Sequence, residues 1–172
     1  MVEIRRATEE DLGEVVELHR RSVRGIRGAH YAPEVIEAWA VPRGPEHYVR
    51  AVREKEFFVA EDEGGHMVGF GVLNVESREV EAVYVSPEAT RGGTGLKILR
   101  TLEGRARERG LDALHLNASL NGIPFYERAG FERREAGTHR LQSGVEMACV
   151  LMTKRLGAPD EGAEGDRCRE IF

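Results

Sequence analysis

The alternation of apolar and polar residues predicts helices in the first third of the chain. Residues 2–5 alternate as in a short strand. Thr8, followed three positions later by Asp11, is typical of a helix start with a threonine cap. Apolar positions then recur at helical spacing on one face: Leu12, Val15, Val16, His19 and Val23. Pro33 and Pro45 suit the first turns of two further helices, over 34–40 and ending near Val52.

From Glu56 the period changes to that of strands. Asp62-Glu63-Gly64-Gly65 separates two apolar runs and predicts a hairpin. A third strand is predicted over 79–85. We expect its two faces to carry Val80, Ala82 and Tyr84 on one side, and Glu79, Glu81 and Val83 on the other. The remaining pattern predicts a helix over 95–109 ended by Gly110, a strand over 111–117, a short helix over 123–129, a strand from 131 and a last strand over 145–156.

This order of elements predicts a mixed α/β (α+β) fold in a single domain over 1–156. Helices come first, then an antiparallel meander, then a strand–helix–strand unit that must place two strands in parallel. Residues 157–172 are rich in Gly, Asp and Glu and are expected to form a flexible tail.

Composition narrows the classes of function. The chain has 172 residues, a formal net charge of −5 and 41% hydrophobic residues. An acidic balance argues against general binding of nucleic acid. No apolar run is long enough to span a membrane, and the N-terminus lacks the apolar core of a signal peptide, so we expect a cytoplasmic protein without a membrane segment. Cys149 and Cys168 have no metal-type spacing, and no metal site is predicted.

The segment most indicative of chemistry is the turn Thr90-Arg91-Gly92-Gly93-Thr94-Gly95, between a predicted strand and a predicted helix. Glycines allow successive backbone N–H groups to face a ligand, and the start of a helix adds unpaired donors, so the pattern favours a phosphate or pyrophosphate site. A tight structural turn is the alternative. The sequence G-x-x-x-x-G-K-S/T is absent, and the third glycine of the dinucleotide fingerprint is missing, which argues against a nucleotide or dinucleotide site.

The same turn resembles the acetyl-CoA signature of the GNAT superfamily of N-acetyltransferases, Gln/Arg-x-x-Gly-x-Gly/Ala. Thr90 stands where that family usually has Gln or Arg, and Arg91 follows one place later. A second motif, Asn121-Gly122-Ile123-Pro124-Phe125-Tyr126-Glu127-Arg128-Ala129-Gly130-Phe131, is similar to the family's Phe-Tyr-Glu-x-x-Gly-Phe segment. The stretch 30–40 is similar to one bacterial subgroup of small acetyltransferases.

This resemblance implies a central sheet that is mostly antiparallel, with two splayed parallel strands that admit the pantetheine arm of acetyl-CoA. It implies acetyl-CoA as co-substrate, bound by the glycine turn and by the strand before it. Asn117 either contacts the pantetheine or satisfies a backbone group where its strand ends. The cofactor-binding residues expected in this way are Val83, Tyr84, Val85, Thr90, Arg91, Gly92, Gly93, Thr94, Gly95, Asn117 and Tyr126.

The resemblance also implies catalytic roles. Tyr126 matches the family's general acid, which protonates the coenzyme A thiolate; its alternative is a hydrogen bond to the sulfur and a packing role. Glu79 and Glu81 are candidates for the base, since a partly desolvated carboxylate can accept the amine proton. They are equally interpretable as solvated charges or as attractants for a cationic amine. His30 and Tyr31, in the loop expected to cover the acceptor side, are candidates for substrate contact.

We therefore predict an N-acetyltransferase that transfers the acetyl group of acetyl-CoA to a primary amine by direct attack in a ternary complex. The alternative is a non-catalytic acyl-CoA binding or sensing domain. The acceptor, a small molecule or a protein amine, is left open by the sequence, because specificity lies in loops rather than in the fold. A homodimer is compatible with the resemblance, without an identifiable interface.

Overall fold

The computed structural model describes residues 1–28 and 30–157, and the predicted tail lies outside these residues apart from Gly157. In chain order the elements are β1 (Glu3–Arg6), α1 (Leu12–Arg24), α2 (Pro33–Ala40), α3 (Pro45–Glu54), β2 (Glu56–Glu61), β3 (Met67–Asn74), β4 (Glu79–Val85), α4 (Thr94–Glu108), β5 (Ala113–Ser119), α5 (Ile123–Arg128), β6 (Glu132–Arg140) and β7 (Glu146–Arg155). All predicted elements are present, with ends shifted by a few residues. The largest shift is at α1, which begins at Leu12 because 9–11 form a separate 3-10 turn after Thr8.

Seven strands form one sheet in the order β1-β2-β3-β4-β5-β7-β6. Neighbours are antiparallel except β4 and β5, which run parallel. A parallel pair needs a crossover connection, and α4 supplies it. The predicted fold class, a mixed and mostly antiparallel sheet with one parallel pair and flanking helices, is therefore confirmed.

The parallel pair is open along most of its length. Within the two strands only Glu79 and His115 are in register, next to a hydrogen bond from the His115 N–H to the Arg78 carbonyl (3.1 Å). By contrast, β5 and β7 stay paired over seven positions. The sheet therefore has a gap between β4 and β5, which opens toward the end of β4 that leads into the glycine turn.

A bulge in β4 changes the predicted alternation. Val72 pairs with Ala82 and Leu73 pairs with Val80, so Glu81 is an extra residue in the ladder. As a result Val80 packs in the core that includes α4, whereas Ala82 and Tyr84 pack against the core on the opposite face. The prediction that these three residues share one face was wrong, because a strict period of two cannot anticipate an inserted residue.

Two cores cover the two faces of the sheet. One includes Ile98, Leu99 and Leu102 of α4 and extends to β5, β7 and Phe131. The other is built around Val15 and Leu18 of α1, with Phe57 of β2 and Phe70 of β3. Between them the two cores fix β4 and the start of α4, which are the elements that carry the predicted site.

Candidate active site

A single cavity of about 1550 Å³ runs from the glycine turn to the region beneath α2 and α3. Most of the residues predicted for the site line it: His30, Glu79, Glu81, Val83, Tyr84, Val85, Thr90, Arg91, Gly93, Gly95, Asn117 and Tyr126. Gly92 and Thr94 belong to the turn without lining the cavity, and Tyr31 is not in its wall. The structure thus brings together residues from the turn, β4, β5 and α5.

The glycine turn presents free backbone donors at the start of α4. Gly93 caps the helix with φ of 74°, a left-handed conformation that glycine adopts without strain. The first intrahelical bond is donated by Lys97 to Gly93, and the N–H groups of Thr94, Gly95 and Leu96 have no acceptor among the described residues. These donors and the positive end of a 15-residue helix favour the binding of an anion at the start of α4.

The side chains around the turn have different roles. Arg91 from the turn and Arg128 from α5 line the cavity, and neither forms an ion pair with a described residue. The Thr90 hydroxyl donates to the Pro87 carbonyl (3.0 Å). The position that departs from the family motif is therefore used to close the turn, while the positive charge comes from Arg91 beside it.

Tyr126 lies on α5, packed edge-on against Phe125 and Phe131 at centroid distances of 5.0 and 5.8 Å. Burial raises the pKa of Tyr126 well above its ordinary value, and the nearby phenol of Tyr84 adds to the shift. The phenol therefore keeps its proton at neutral pH and acts as a hydrogen-bond donor. Nearby, the buried Oδ1 of Asn121 accepts no hydrogen bond from a described residue, and Asn121 lines the same cavity.

The two glutamates of β4 differ in their surroundings. The Oε2 atom of Glu81 accepts from Lys55 Nζ (2.5 Å) and its Oε1 atom accepts from Asn74 Nδ2 (3.0 Å), so both oxygens have partners. Glu79 is half-buried and has no hydrogen-bond or ion-pair partner within the described part of the chain. Of the pair, Glu79 is the carboxylate available to a ligand.

A cluster of aromatic side chains forms the wall of the cavity on the α1 and α2 side. The Trp39 indole donates to the Tyr84 hydroxyl (3.1 Å), and the His19 ring packs edge-on against Tyr84 at 4.8 Å. Burial lowers the pKa of His19 to about 4, and the charge of Arg20 contributes, so the imidazole is neutral at pH 7. Its buried Nδ1 has no partner among the described residues.

The two residues predicted for substrate contact, His30 and Tyr31, have different surroundings. His30 is exposed and lines the cavity. The Tyr31 hydroxyl donates to the Ala148 carbonyl (2.6 Å) and accepts from the Leu120 N–H (2.8 Å), so it connects β7 to the segment after β5. The Tyr31 ring touches Trp39, and a contact between Tyr31 and the substrate stays a prediction.

The sequence analysis did not single out several other residues of the cavity wall as site residues: Trp39, His19, Arg43, His47, Tyr48 and Lys55. Only spatial proximity groups them, since they come from three helices and the connections between them. One available signal was the clustering of aromatic and basic residues over 39–55. No group of three metal-ligating side chains occurs in the described ranges.

Comparisons with known proteins agree with this geometry. A family model described as the acetyltransferase (GNAT) domain matches residues 53–133. An uncharacterized N-acetyltransferase of Methanocaldococcus jannaschii, MJ1207, is 28% identical over 144 residues, which are 77% of this chain. The match spans 61% of that relative's own length.

Solved structures share the fold. A GCN5-related N-acetyltransferase from Rhodopseudomonas palustris superposes with a TM-score of 0.83 at 24% identity, covering 90% of this chain and 95% of that one. The PaiA N-acetyltransferase of Thermoplasma acidophilum, solved in complex with coenzyme A, gives a TM-score of 0.69 at 23% identity over 90% and 99% of the two chains. At these identities the structural likeness establishes the fold alone.

The open parallel pair, the glycine turn after β4 and the helix α4 all lie within residues 53–133, which match the acetyltransferase (GNAT) family model. These residues are therefore similar to the GNAT acetyltransferase domain in sequence as well as in fold. The match agrees with the predicted family and with the predicted acyltransferase class. The neighbours solved with coenzyme A or acetyl-CoA are consistent with the predicted co-substrate. Within residues 1–28 and 30–157 no helix is long and apolar enough to cross a membrane.

Proposed function

We propose that this protein is an N-acetyltransferase that transfers the acetyl group of acetyl-CoA to a primary amine by direct attack in a ternary complex. The observation that carries the proposal is the continuity of the cavity. One end holds free amides and cations suited to a pyrophosphate, the other end holds carboxylate and aromatic side chains suited to an amine, and the gap between β4 and β5 joins them. The expected cytoplasmic location and homodimer remain predictions.

The residues present fit acetyl-CoA. The unpaired N–H groups of 94–96, with Arg91 and Arg128 beside them, match two phosphate charges. The orphaned Oδ1 of Asn121 is an acceptor for an amide N–H of a pantetheine arm lying in the gap. Asn117 lines the same part of the cavity and offers a second polar contact there.

Acetyl-CoA supplies an activated thioester. Attack requires a neutral amine and donors near the thioester oxygen, where negative charge develops. Backbone N–H groups of β4 near Val83 and Val85 border the open gap and are our candidates for these donors. Such donors typically contribute about 3 kcal/mol each to transition-state stabilisation. We assign the base to Glu79, acting directly or through water, because both oxygens of Glu81 have partners.

We assign Tyr126 as the donor to the leaving sulfur. Its raised pKa lies above that of an ordinary thiol, about 8.5, so the phenol stabilises the thiolate first as a hydrogen-bond donor. Complete transfer of the phenol proton to the sulfur is unfavourable by itself. It becomes favourable only when another group supplies a proton to the phenolate that is left. The proton that the attacking amine loses to Glu79 is available for this step.

The test is a calorimetric titration with acetyl-CoA, followed by measurement of thiol release with a panel of primary amines. We expect saturable binding at one site per chain, and thiol release with at least one class of amine. Absence of binding would refute the assignment of the glycine turn. Binding without release across a broad amine panel would instead indicate the acyl-CoA sensing domain.

A further inference from the structure

Besides the Tyr48 phenol, the acceptor half of the cavity contains five ionisable side chains at its α3 side: Arg43, His47, Lys55, Glu79 and Glu81. Lys55 and Glu81 form an ion pair, with side chains 19% and 24% exposed. These two charges therefore cancel. What remains for a ligand is one cation, Arg43, and one anion, Glu79.

Neither Arg43 nor Glu79 is in an ion pair or a side-chain hydrogen bond within residues 1–28 and 30–157. Several exposed arginines, such as Arg50 and Arg53, have acidic partners. Arg43 lies in the connection between α2 and α3, with no carboxylate to neutralise it, yet it lines the cavity. Its charge is thus directed at the ligand space.

The charge of Arg43 acts on two other groups of the wall, the Tyr84 phenol and the His47 imidazole. Burial raises the pKa of Tyr84 to about 12, against the opposing effects of the Trp39 hydrogen bond and of the Arg43 charge. Burial lowers the pKa of His47, and the charges of Arg43 and Lys55 lower it further. Arg43 therefore lies near the aromatic part of the wall.

The same cavity has an aromatic wall. Trp39 and Tyr84 have ring centroids 6.3 Å apart, and His19 completes the surface as a neutral ring. Such a surface accepts an apolar or aromatic group without requiring charge. The pocket thus offers a cation, an anion and an apolar wall.

Resting on the proposed function, we infer that the acceptor is a small amine that also carries a carboxylate, such as an amino acid, with the carboxylate bound by Arg43 and the amine directed to Glu79. An arginine binds a carboxylate through two parallel hydrogen bonds, which fixes orientation as well as charge. Trp39 and Tyr84 would then contact an apolar side chain of the acceptor. A polyamine or another polycationic acceptor would face repulsion from Arg43.

The test uses matched acceptors with the purified full chain. Each of a set of apolar and aromatic amino acids is compared with its carboxamide and with the amine that lacks the carboxyl group, by thiol release at saturating acetyl-CoA. The free amino acid should have a kcat/KM about 10- to 100-fold above that of its carboxamide, as expected for a charge-assisted hydrogen bond. The amino acid and its carboxamide should differ in KM and have similar kcat.

Variants of Arg43 test whether this residue causes the preference for a carboxylate. Arg43→Ala should remove the preference by raising KM for the amino acid, with KM for the carboxamide and the Kd of acetyl-CoA unchanged. Arg43→Lys should restore part of it, since an ammonium binds the carboxylate without the paired geometry. Arg100→Ala, which removes an exposed arginine of α4 outside the cavity, is the matched control and should behave as the parent protein.

The inference can fail in two distinguishable ways, either alone or together with the proposed function. Carboxamides or simple amines acetylated as well as the amino acids would refute the carboxylate-bearing acceptor and leave the acetyltransferase intact. The same holds if Arg43→Ala affects both members of a pair equally. Acetyl-CoA binding without thiol release for any amine would refute the proposed function, and the inference with it.

Discussion

The indole nitrogen of Trp39 donates a hydrogen bond to the hydroxyl of Tyr84 over 3.1 Å. This bond connects α2, which lies over the acceptor side, to the bulged strand β4, which borders the gap. Tyr84 also packs against His19 of α1. One phenol thus holds two helices and the central strand in a fixed relation around the cavity.

Replacing Trp39 with Phe should keep most of the packing and remove this bond. Because this hydrogen bond is partly buried, the loss of a partner for the Tyr84 hydroxyl should lower the free energy of unfolding by about 1 kcal/mol. We expect KM for the acceptor to rise severalfold and the Kd of acetyl-CoA to stay constant. Chemical denaturation and steady-state kinetics measure the two effects, and unchanged stability would show that the bond has no energetic role.

Tyr126→Phe tests the donor to the leaving sulfur. The phenol makes no hydrogen bond to a described residue, so its removal should leave the fold intact. We expect kcat to fall by about 100-fold, in the range typical of general acid catalysis. The Kd of acetyl-CoA should change less than twofold. An unchanged kcat would assign Tyr126 to packing alone.

Glu79→Gln and Glu81→Gln form a matched pair on one strand. Glu79→Gln should lower kcat by about 100-fold or more, because the glutamine cannot accept the amine proton. Glu81→Gln should lower kcat only a few fold, since it weakens an ion pair with Lys55 without removing the base. Comparable losses in both variants would contradict the assignment of the base to Glu79.

The glycine turn is tested by Gly92→Glu. A Cβ at Gly92 would lie 3.6 Å from the Ala89 carbonyl, an ordinary contact, so the fold should tolerate the change. The new carboxylate should repel the phosphates and weaken acetyl-CoA binding by about tenfold or more, equivalent to ~1.4 kcal/mol. Titration calorimetry measures this.

Gly93→Ala is the contrasting variant. Open space surrounds Gly93, but its φ of 74° is unfavourable for a residue with a Cβ, so we expect a loss of about 1 kcal/mol of stability. The two variants therefore separate ligand repulsion from backbone strain. Unchanged acetyl-CoA affinity in Gly92→Glu would place the pyrophosphate away from the turn.

Acid should weaken the junction between β1 and α1. Arg5 donates to Asp11 over 2.7 Å and, with burial opposing it, this bond lowers the pKa of Asp11 from 3.8 to about 2. A lowered folded-state pKa means that the contribution is fully present above pH 3.8 and is lost as the pH falls through 2. Because Arg5 is partly exposed, we expect about 1 kcal/mol.

The check is the free energy of unfolding of the parent protein and of Asp11→Asn between pH 5 and pH 2. Asp11→Asn should be less stable at pH 5 and should lose less stability as the pH falls. Parallel curves would show that Asp11 does not titrate with a shifted pKa.

Sequence patterns predicted the local features of this molecule well. The glycine turn and the helix after it are encoded in adjacent residues, and the segment around Tyr126 is also continuous. The bulge at Glu81 was not predictable, because it arises from how β3 and β4 pair rather than from β4 alone. The two hydrogen bonds of the Tyr31 hydroxyl were not predictable for the same reason. Their partners, Leu120 and Ala148, are 89 and 117 residues away along the chain.

The acceptor side was the least predictable part. Arg43 has no recognisable motif, and its significance comes from lacking a partner among the described residues while it lines a cavity. Trp39 packs against Tyr31 and Tyr84 and also lines the wall. A single sequence shows which residues are apolar and does not show which cavity they surround.

The gap between β4 and β5 divides the sheet into two hydrogen-bonded halves, β1–β4 and β5–β7, that share a single register pair at Glu79 and His115. We expect a ligand lying in the gap to form hydrogen bonds with both strand edges and so to connect the two halves while it is bound. Amide hydrogens along both edges should therefore exchange with solvent quickly in the free protein and slowly in the complex. Each cycle of binding and release would stiffen and relax the middle of the sheet.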